Sequence, residues 1–526
     1  MTGPTAGAAP AGADDARPFR RRVLLNTAST GAANVWAMVV TLVALPLLLE
    51  GLGAAAFGTW VLLSTFSAVN GWLSLADLGV STATTRAVAE SASLRHPRTV
   101  ATRVGSSLTL FAVVGVACAL LMATVGRAWL PRLFDTPTRL VADLEFAIVI
   151  FALQIIPDLL TGAATSALEG LQRVDLSRAA DSLRRTAVAA ATSVAALTGS
   201  GLRGVALASL VVSTVGAAVA LVVLATHLPD RRLRVDRSEM RALLRYGRTV
   251  AVLRPFGVIQ RMMDRLIVGA VLGPAYVAFV EIATQIQNGA DAVLSASSYA
   301  VIPSASWLRA RGDGHTLREL LLTGTKYSLL VTLPFVTAPA ILAGPLVRLW
   351  VGPAYTAAAG LAVVGLVYVA LTAPVQVGSN LLVGTGRAGA VLRAVTVAVA
   401  VNLAASVVLV HLVGTVGVFL GTLVGTVFLV VPLARSSLSD VGAGRREFVT
   451  AALRPSLAPT MALAAVAGVV VSAPLPDLVT LVAGAGLGTG AYAAVAHRWS
   501  FSPDELSGLR ATMARPRADT VEPVHA

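Results

Sequence analysis

Three arginines, Arg254, Arg261 and Arg265, stand at spacings of seven and four inside an otherwise apolar stretch over residues 249–272. On a helix turning about 100° per residue they fall within one narrow stripe. A guanidinium is permanently charged and its planar fork matches two phosphate oxygens, so the stripe could hold a phosphate or diphosphate group. In the competing arrangement Arg254 reaches back to the membrane interface and Arg261 or Arg265 pairs with Asp264 to hold helices together. A second polar stripe follows on residues 276–303, where Glu281, Gln285, Asn288, Ser295 and Tyr299 recur at helical spacing. It suits a hydroxyl-rich ligand, and Glu281 could also take a proton or cation; hydrogen bonding between helices is the alternative. Nearer the N-terminus, Asn34 and Asn70 are candidate ligand groups. Asp77 and Arg86 are read as gating residues or as the clamp on the inner end of a helix.

Signals for an enzyme are poor. The GTGRAG run at 384–389 satisfies a dinucleotide pattern, but it joins two apolar stretches and no strand precedes it. The six histidines, His96, His227, His315, His411, His497 and His525, lack metal-ligand spacing. The single cysteine, Cys118, lies in an apolar run and excludes an intrachain disulfide. No catalytic residue, metal or cofactor is expected.

The elements that must carry these stripes are set by composition. Of 526 residues, 56% are hydrophobic and 13% are charged, against roughly 25% charge in soluble domains. The mean hydropathy of +0.77 fits a lipid environment. Apolar runs of roughly 20 residues match a helix crossing a hydrocarbon core about 30 Å thick. Spans are expected near 27–49, 56–78, 105–126, 146–168, 186–200, 204–227, 249–272, 276–303, 324–347, 357–383, 390–411, 414–434, 455–472 and 478–497, fourteen in all. The formal charge of +14 does not indicate nucleic acid, because the arginines recur in every second loop instead of gathering on one soluble face. Of the 41 Lys and Arg residues, 33 fall in one set of loops and five in the other, with three inside the seventh span. This bias expects an inner-membrane protein with both termini cytoplasmic. Trp129 and Trp350 would mark the outer interface and Trp307 and Trp499 the inner one. Small-residue ladders, Gly417, Gly421 and Gly425, then Gly484, Gly486, Gly488 and Gly490, suit close helix packing in lipid.

The expected organisation is a disordered tail over 1–22, a six-helix bundle over 23–228, a basic linker over 229–248 and a second six-helix bundle over 249–436. Two further helices occupy 437–500, and a cytoplasmic tail 501–526. Residues 46–71 resemble residues 266–289, with Leu52 and Gly53 matching Leu272 and Gly273. A six-span duplication in one orientation gives bundles related by pseudo-two-fold symmetry about the membrane normal.

Four blocks in order carry a family resemblance: LGAAAFGTWVLLSTFSAVNGWLSLADLGVSTATTRAVAE, ALEGLQRVDLSR, MMDRLIVGAVLGPAYVAFVEIATQI and PLVRLWVGPAYTAAA. They resemble blocks of polysaccharide-biosynthesis flippases in the multidrug/oligosaccharidyl-lipid/polysaccharide exporter superfamily, over about residues 24 to 435. The resemblance implies an all-α membrane fold of two six-helix bundles around a central cavity, moving polyprenyl-pyrophosphate-linked saccharides by alternating access. The arginine stripe would then meet the carrier's pyrophosphate. Membrane lipid and the lipid-linked saccharide are the expected ligands, with H+ or Na+ as coupling ion. A monomer is expected, with a polysaccharide polymerase or glycosyltransferases as protein partners. Alternatives are a lipid II flippase, a multidrug exporter of the same superfamily, and a membrane glycosyltransferase or polymerase.

The loop bias gives a direct test. A reporter active only in the cytoplasm should work when fused after Ala526 or Arg237 and fail after Thr136; activity at Thr136 would overturn the orientation.

Overall fold

The computed structural model describes residues 13–69, 71–251, 254–502, 505 and 507; the side chains of 13–32, 34, 249–250, 254–257 and 261 are not described. Helix accounts for 88% of the described residues and no strand occurs among them, which makes the fold all-α. Two compact units divide the chain, residues 1–278 and 279–526.

The first unit holds α1 (Ala13–Ser64), α2 (Val80–Ser93), α3 (Pro97–Leu121), α4 (Arg127–Leu133), α5 (Thr138–Gly170), α6 (Val174–Leu197), α7 (Gly201–His227), α8 (Arg237–Ala251) and α9 (Arg254–Val271). Helix α5 is the hub: it packs against α2, α3 and α7, while α1 lies along α6 and α9 meets α1. Helix α10 (Pro274–Ser298) carries the chain onward. The second unit continues with α11 (Val301–Ala310), α12 (Gly314–Ile341), α13 (Ala343–Val351), α14 (Ala357–Gly384), α15 (Ala388–Val413), α16 (Val416–Val441), α17 (Arg445–Phe448), α18 (Arg454–Ser472) and α19 (Asp477–Trp499). Helix α14 packs among α11, α12 and α16, and the α18–α19 hairpin lies against α12. That last contact buries Leu330, Leu463 and Tyr492 together, with the Tyr492 hydroxyl donating to the Leu330 carbonyl at 2.9 Å.

Polarity runs inside out, as lipid demands. On α7 the middle of the buried face is Ser209, Ser213, Ala217 and Ala220, between Val205 and Leu224, whereas Val211, Val215 and Val222 are 57–62% exposed. Water would reverse this arrangement; a hydrocarbon solvent rewards it, because small residues let helices approach and valine solvates in lipid. Ten helices among the described residues are long and apolar enough to cross a membrane, so the protein is a multi-pass membrane protein.

Four of the fourteen expected spans are not among those ten, each for a visible reason. The helix expected over 56–78 stops at Ser64: the Thr65 carbonyl accepts from the Trp72 amide at 2.8 Å, closing a loop before a short 3-10 turn, Trp72–Asp77. The helix expected over 186–200 begins at Val174, and its first half is charged. Helix α9 carries the three arginines, and α10 carries its polar stripe. Upstream, Gly53 breaks the helical path of α1 at φ 72°, a conformation that disfavours a side chain.

The first glycine ladder packs as its spacing implies. A Cβ on Gly417, Gly421 or Gly425 would lie 2.3, 2.2 or 2.7 Å from atoms of α15. In the second ladder Gly484 and Gly488 meet packed side chains, but Gly486 and Gly490 face open space. Alternate positions of α19 therefore differ in role. Gly421→Val should destabilise the protein in detergent by about 1–3 kcal/mol, the usual cost of overpacking, while Gly486→Val should leave the melting temperature unchanged.

Candidate functional site

Along α5, Gln154, Asp158, Thr161, Thr165 and Glu169 recur at spacings of four, three, four and four, one stripe of a helix that is otherwise apolar. Along α6, Ser177, Asp181 and Arg184 recur at four and three. The two stripes face one another. Arg184 Nη1 donates to Asp158 Oδ1 at 3.1 Å, with both side chains nearly buried at 9% and 5% exposure. Gln154 Nε2 donates to the other Asp158 oxygen at 3.2 Å. Arg185 Nε reaches Asp181 at 2.7 Å, and Glu169 accepts from Ser177 Oγ at 3.1 Å and pairs with Arg178 at 3.2 Å. The arginine stem needs room: a Cβ on Gly216 of α7 would stand 2.9 Å from Arg184 Cγ.

A cavity of about 230 Å³ opens between these stripes and the loop that follows α1. Its walls carry Asp77, Asp158, Glu169 and Asp181 against Arg178, Arg184 and Arg185, with hydroxyls from Ser74, Ser81, Thr161, Thr165 and Ser177. Buried Gln154 Oε1 and Arg184 Nε have no hydrogen-bond partner among the described residues. Carboxylates, guanidiniums and hydroxyls alternating around one space offer both donors and acceptors to a polar, hydroxyl-rich group. No group of three or more His, Cys, Asp or Glu side chains is placed to hold a metal ion among the described residues.

Of the residues singled out by sequence, Asp77 lines this cavity. Its Oδ1 also accepts from the Ser81 amide at 2.8 Å and hydroxyl at 2.9 Å, satisfying donors in the first turn of α2. Arg86 lies on α2 with its guanidinium 4.5 Å over the Tyr246 ring of α8, a cation–π contact. Arg265 is half-buried, its Nη1 3.5 Å from Met262 Sδ, and Asp264 is half-buried beside it. Helix α9 packs against the Trp72–Asp77 turn, which supplies Ser74 and Asp77 to the cavity. The side chains of Asn34, Arg254 and Arg261, and the whole of Asn70, lie outside the described residues. In the second unit Glu281 is buried and accepts from Gln285 Nε2 at 2.6 Å, while Asn288, Ser295 and Tyr299 are exposed. That stripe therefore divides into a buried pair and an exposed continuation.

The residues that sequence reading passes over are Asp158, Glu169, Arg178, Asp181, Arg184 and Arg185. Their signal is present. Asp158 is an ionisable residue inside an expected span, which marks an inward-facing position. Arg184 and Arg185 fall in a loop on the expected span of 186–200, whereas the helix begins twelve residues earlier at Val174.

The buried pair can be tested by thermal melting. Arg184→Gln strands the Asp158 charge and should cost about 3–5 kcal/mol, whereas adding Asp158→Asn to it should recover most of the loss. Removing the exposed pair of Arg203 with Asp143 through Arg203→Gln should cost under about 1 kcal/mol.

With this geometry described, comparison with known proteins places it. Among solved structures the chain is similar to the lipid II flippase MurJ, with a TM-score of 0.68 at 12% identity over 94% of this chain and 100% of that one. It is also similar to a multidrug resistance MATE family transporter of the MOP superfamily, with a TM-score of 0.64 at 19% identity over 77% and 95% of the two chains. A eukaryotic MATE transporter aligns with a TM-score of 0.51 at 13% identity over 83% and 99%. At these identities the likeness is one of fold. No curated protein matches in sequence. The family described as polysaccharide biosynthesis protein matches residues 47–360, more than half of the chain. This multi-pass membrane protein, built on the fold of MATE transporters and MurJ, belongs to the polysaccharide biosynthesis protein family.

Proposed function

We propose that the protein is a flippase that moves a polyprenyl-pyrophosphate-linked saccharide across the cytoplasmic membrane by alternating access, for cell-surface polysaccharide biosynthesis. The observation that carries this reading is the charged cavity of the first unit. Ionised groups at membrane depth are costly and persist where they face a protein interior or a wet path. Here seven ionised groups, among them the buried Asp158 and Arg184, surround one space whose remaining polar groups are hydroxyls. Sugar hydroxyls both donate and accept, and such a wall serves both roles. The arginine-bearing helix α9 abuts the same Trp72–Asp77 turn, so a ligand with a sugar at the cavity and a diphosphate at the stripe would span adjoining surfaces. The MurJ-like fold supports lipid II as a second reading, since it too joins a sugar to a polyprenyl diphosphate. A multidrug exporter fits less well, because the arginines of α9 would repel organic cations.

The same reading has both termini in the cytoplasm, H+ or Na+ gradients or the membrane voltage as energy source, and a monomer working beside a polymerase or glycosyltransferases. Alternating access requires that the ligand bind the two states with different affinities.

Flipping is measured as the extracytoplasmic appearance of the lipid-linked saccharide. An Arg261→Gln, Arg265→Gln double variant should retain normal abundance and melting while losing at least about tenfold in rate, one lost charge-assisted contact being worth about 1.5–3 kcal/mol. Lys at either position should rescue in part, because it restores charge without the planar fork. Normal flipping by the stable double variant would remove the diphosphate role, and transport of lipid II in preference to other carriers would select the second reading.

A further inference from the structure

A groove of about 490 Å³ runs down the outside of the first unit between α3, α5 and α7. Leu108 and Ala112 of α3, Leu160 of α5, Leu221 and Ala225 of α7 and Leu233 line it, and its surface is almost wholly apolar. One end is closed by the strap over residues 229–236, which links α7 to α8. The strap is fixed to α3: the Asp236 amide donates to Ser106 Oγ at 3.0 Å, and a Cβ on Gly105 would lie 2.3 Å from the Arg234 carbonyl oxygen. From Ser106 under the strap to Ala112 is six residues of α3, about 9 Å at the rise of a helix. The groove therefore has room for part of an acyl chain within one leaflet, whose hydrocarbon is about half of a 30 Å core.

The mouth of the groove is basic. Arg231, Arg232 and Arg234 flank Leu233, all three are exposed, and among the described residues none of their guanidiniums has an ion pair or hydrogen-bond partner. The strap's two carboxylates are turned to the backbone: Asp230 accepts from the Arg232 amide at 3.0 Å and Asp236 from the Ser238 amide at 2.7 Å. Loop arithmetic assigns this end to the cytoplasmic side, on the most arginine-rich loop of the chain. The cytoplasmic leaflet is the one that gathers anionic lipid around basic juxtamembrane segments.

We propose that this groove is a binding site for an anionic phospholipid of the bilayer, with an acyl chain along α3, α5 and α7 and its phosphate on the strap arginines. The site is separate from the charged cavity and does not depend on the saccharide reading. The apolar length takes part of an acyl chain, and guanidinium forks fit phosphate oxygens. By holding the strap, the lipid would also brace the link between α7 and α8.

The purified full-length protein in detergent supplies the test. Phosphatidylglycerol should raise its melting temperature and be retained in native mass spectrometry, whereas phosphatidylcholine should do neither. Replacing Arg231, Arg232 and Arg234 together with Gln should weaken retention by about tenfold to a hundredfold, each such charge near the surface counting for roughly a factor of five. Ala225→Trp, which fills the groove and leaves every charge in place, should weaken retention as much. Equal effects of the two phospholipids, unchanged retention by either variant, or the same stabilisation by inorganic phosphate alone would overturn the site. Retention of polyprenyl phosphate in place of phosphatidylglycerol would overturn it as well, by giving the groove to the carrier. Because melting and lipid retention are read without transport, failure here leaves the saccharide reading standing.

Discussion

Asp158 and Arg184, each buried on a different helix and joined at 3.1 Å, are the interaction on which the first unit depends. Neither charge is tolerable alone at that depth, because little water reaches it to solvate it. Their pairing fixes the rotation of α5 and α6, and once those two rotations are set, the remaining polar residues of both stripes must face the same space. The polar cavity follows from a stability requirement. Gly216 on α7 yields the room for the arginine stem, so a third helix is drawn into the arrangement.

The second unit solves the same problem at its ends. Asp440, its side chain 1% exposed, forms an ion pair with Arg387 at 3.0 Å and accepts from the Thr385 hydroxyl at 3.1 Å, joining the α14–α15 loop to α16. The single lysine, Lys326, is buried on α12 and meets Glu505 beyond α19 at 2.8 Å, with the Tyr327 hydroxyl donating to the same carboxylate at 3.0 Å. Between these clusters the helices meet through small residues, as α15 and α16 do along Gly417, Gly421 and Gly425. Tight backbone approach supplies in lipid what the hydrophobic effect supplies in water.

A fold shared by a lipid II flippase and multidrug transporters does not choose a cargo. Choice rests on side chains: a cavity alternating carboxylate, guanidinium and hydroxyl suits a sugar, and a cationic stripe suits a diphosphate. The apolar groove under the 229–236 strap is proposed for a different partner, a lipid of the bilayer. In the proposed reading, sugar, phosphate and acyl chain would each meet a chemically distinct surface of the first unit.

Sequence alone determined the all-helical membrane class, ten of the spans and the family, because each depends on local quantities: run length, helical period and short ordered blocks. It also marked Asp77 and the glycine ladder of α16. Pairing across helices was decided only by the tertiary structure. Asp158 lay inside an apolar run and Arg184 inside a presumed loop, 26 residues apart, and neither is informative until α5 and α6 are set face to face. The break at Ser64 depends on a hydrogen bond from Trp72 to Thr65, and the strap depends on Gly105 lying under Arg234. Alternate positions of one glycine ladder separated into packed and open for the same reason. A helix's own sequence specifies its faces, but which face meets a neighbour is set by the neighbour's shape and charge.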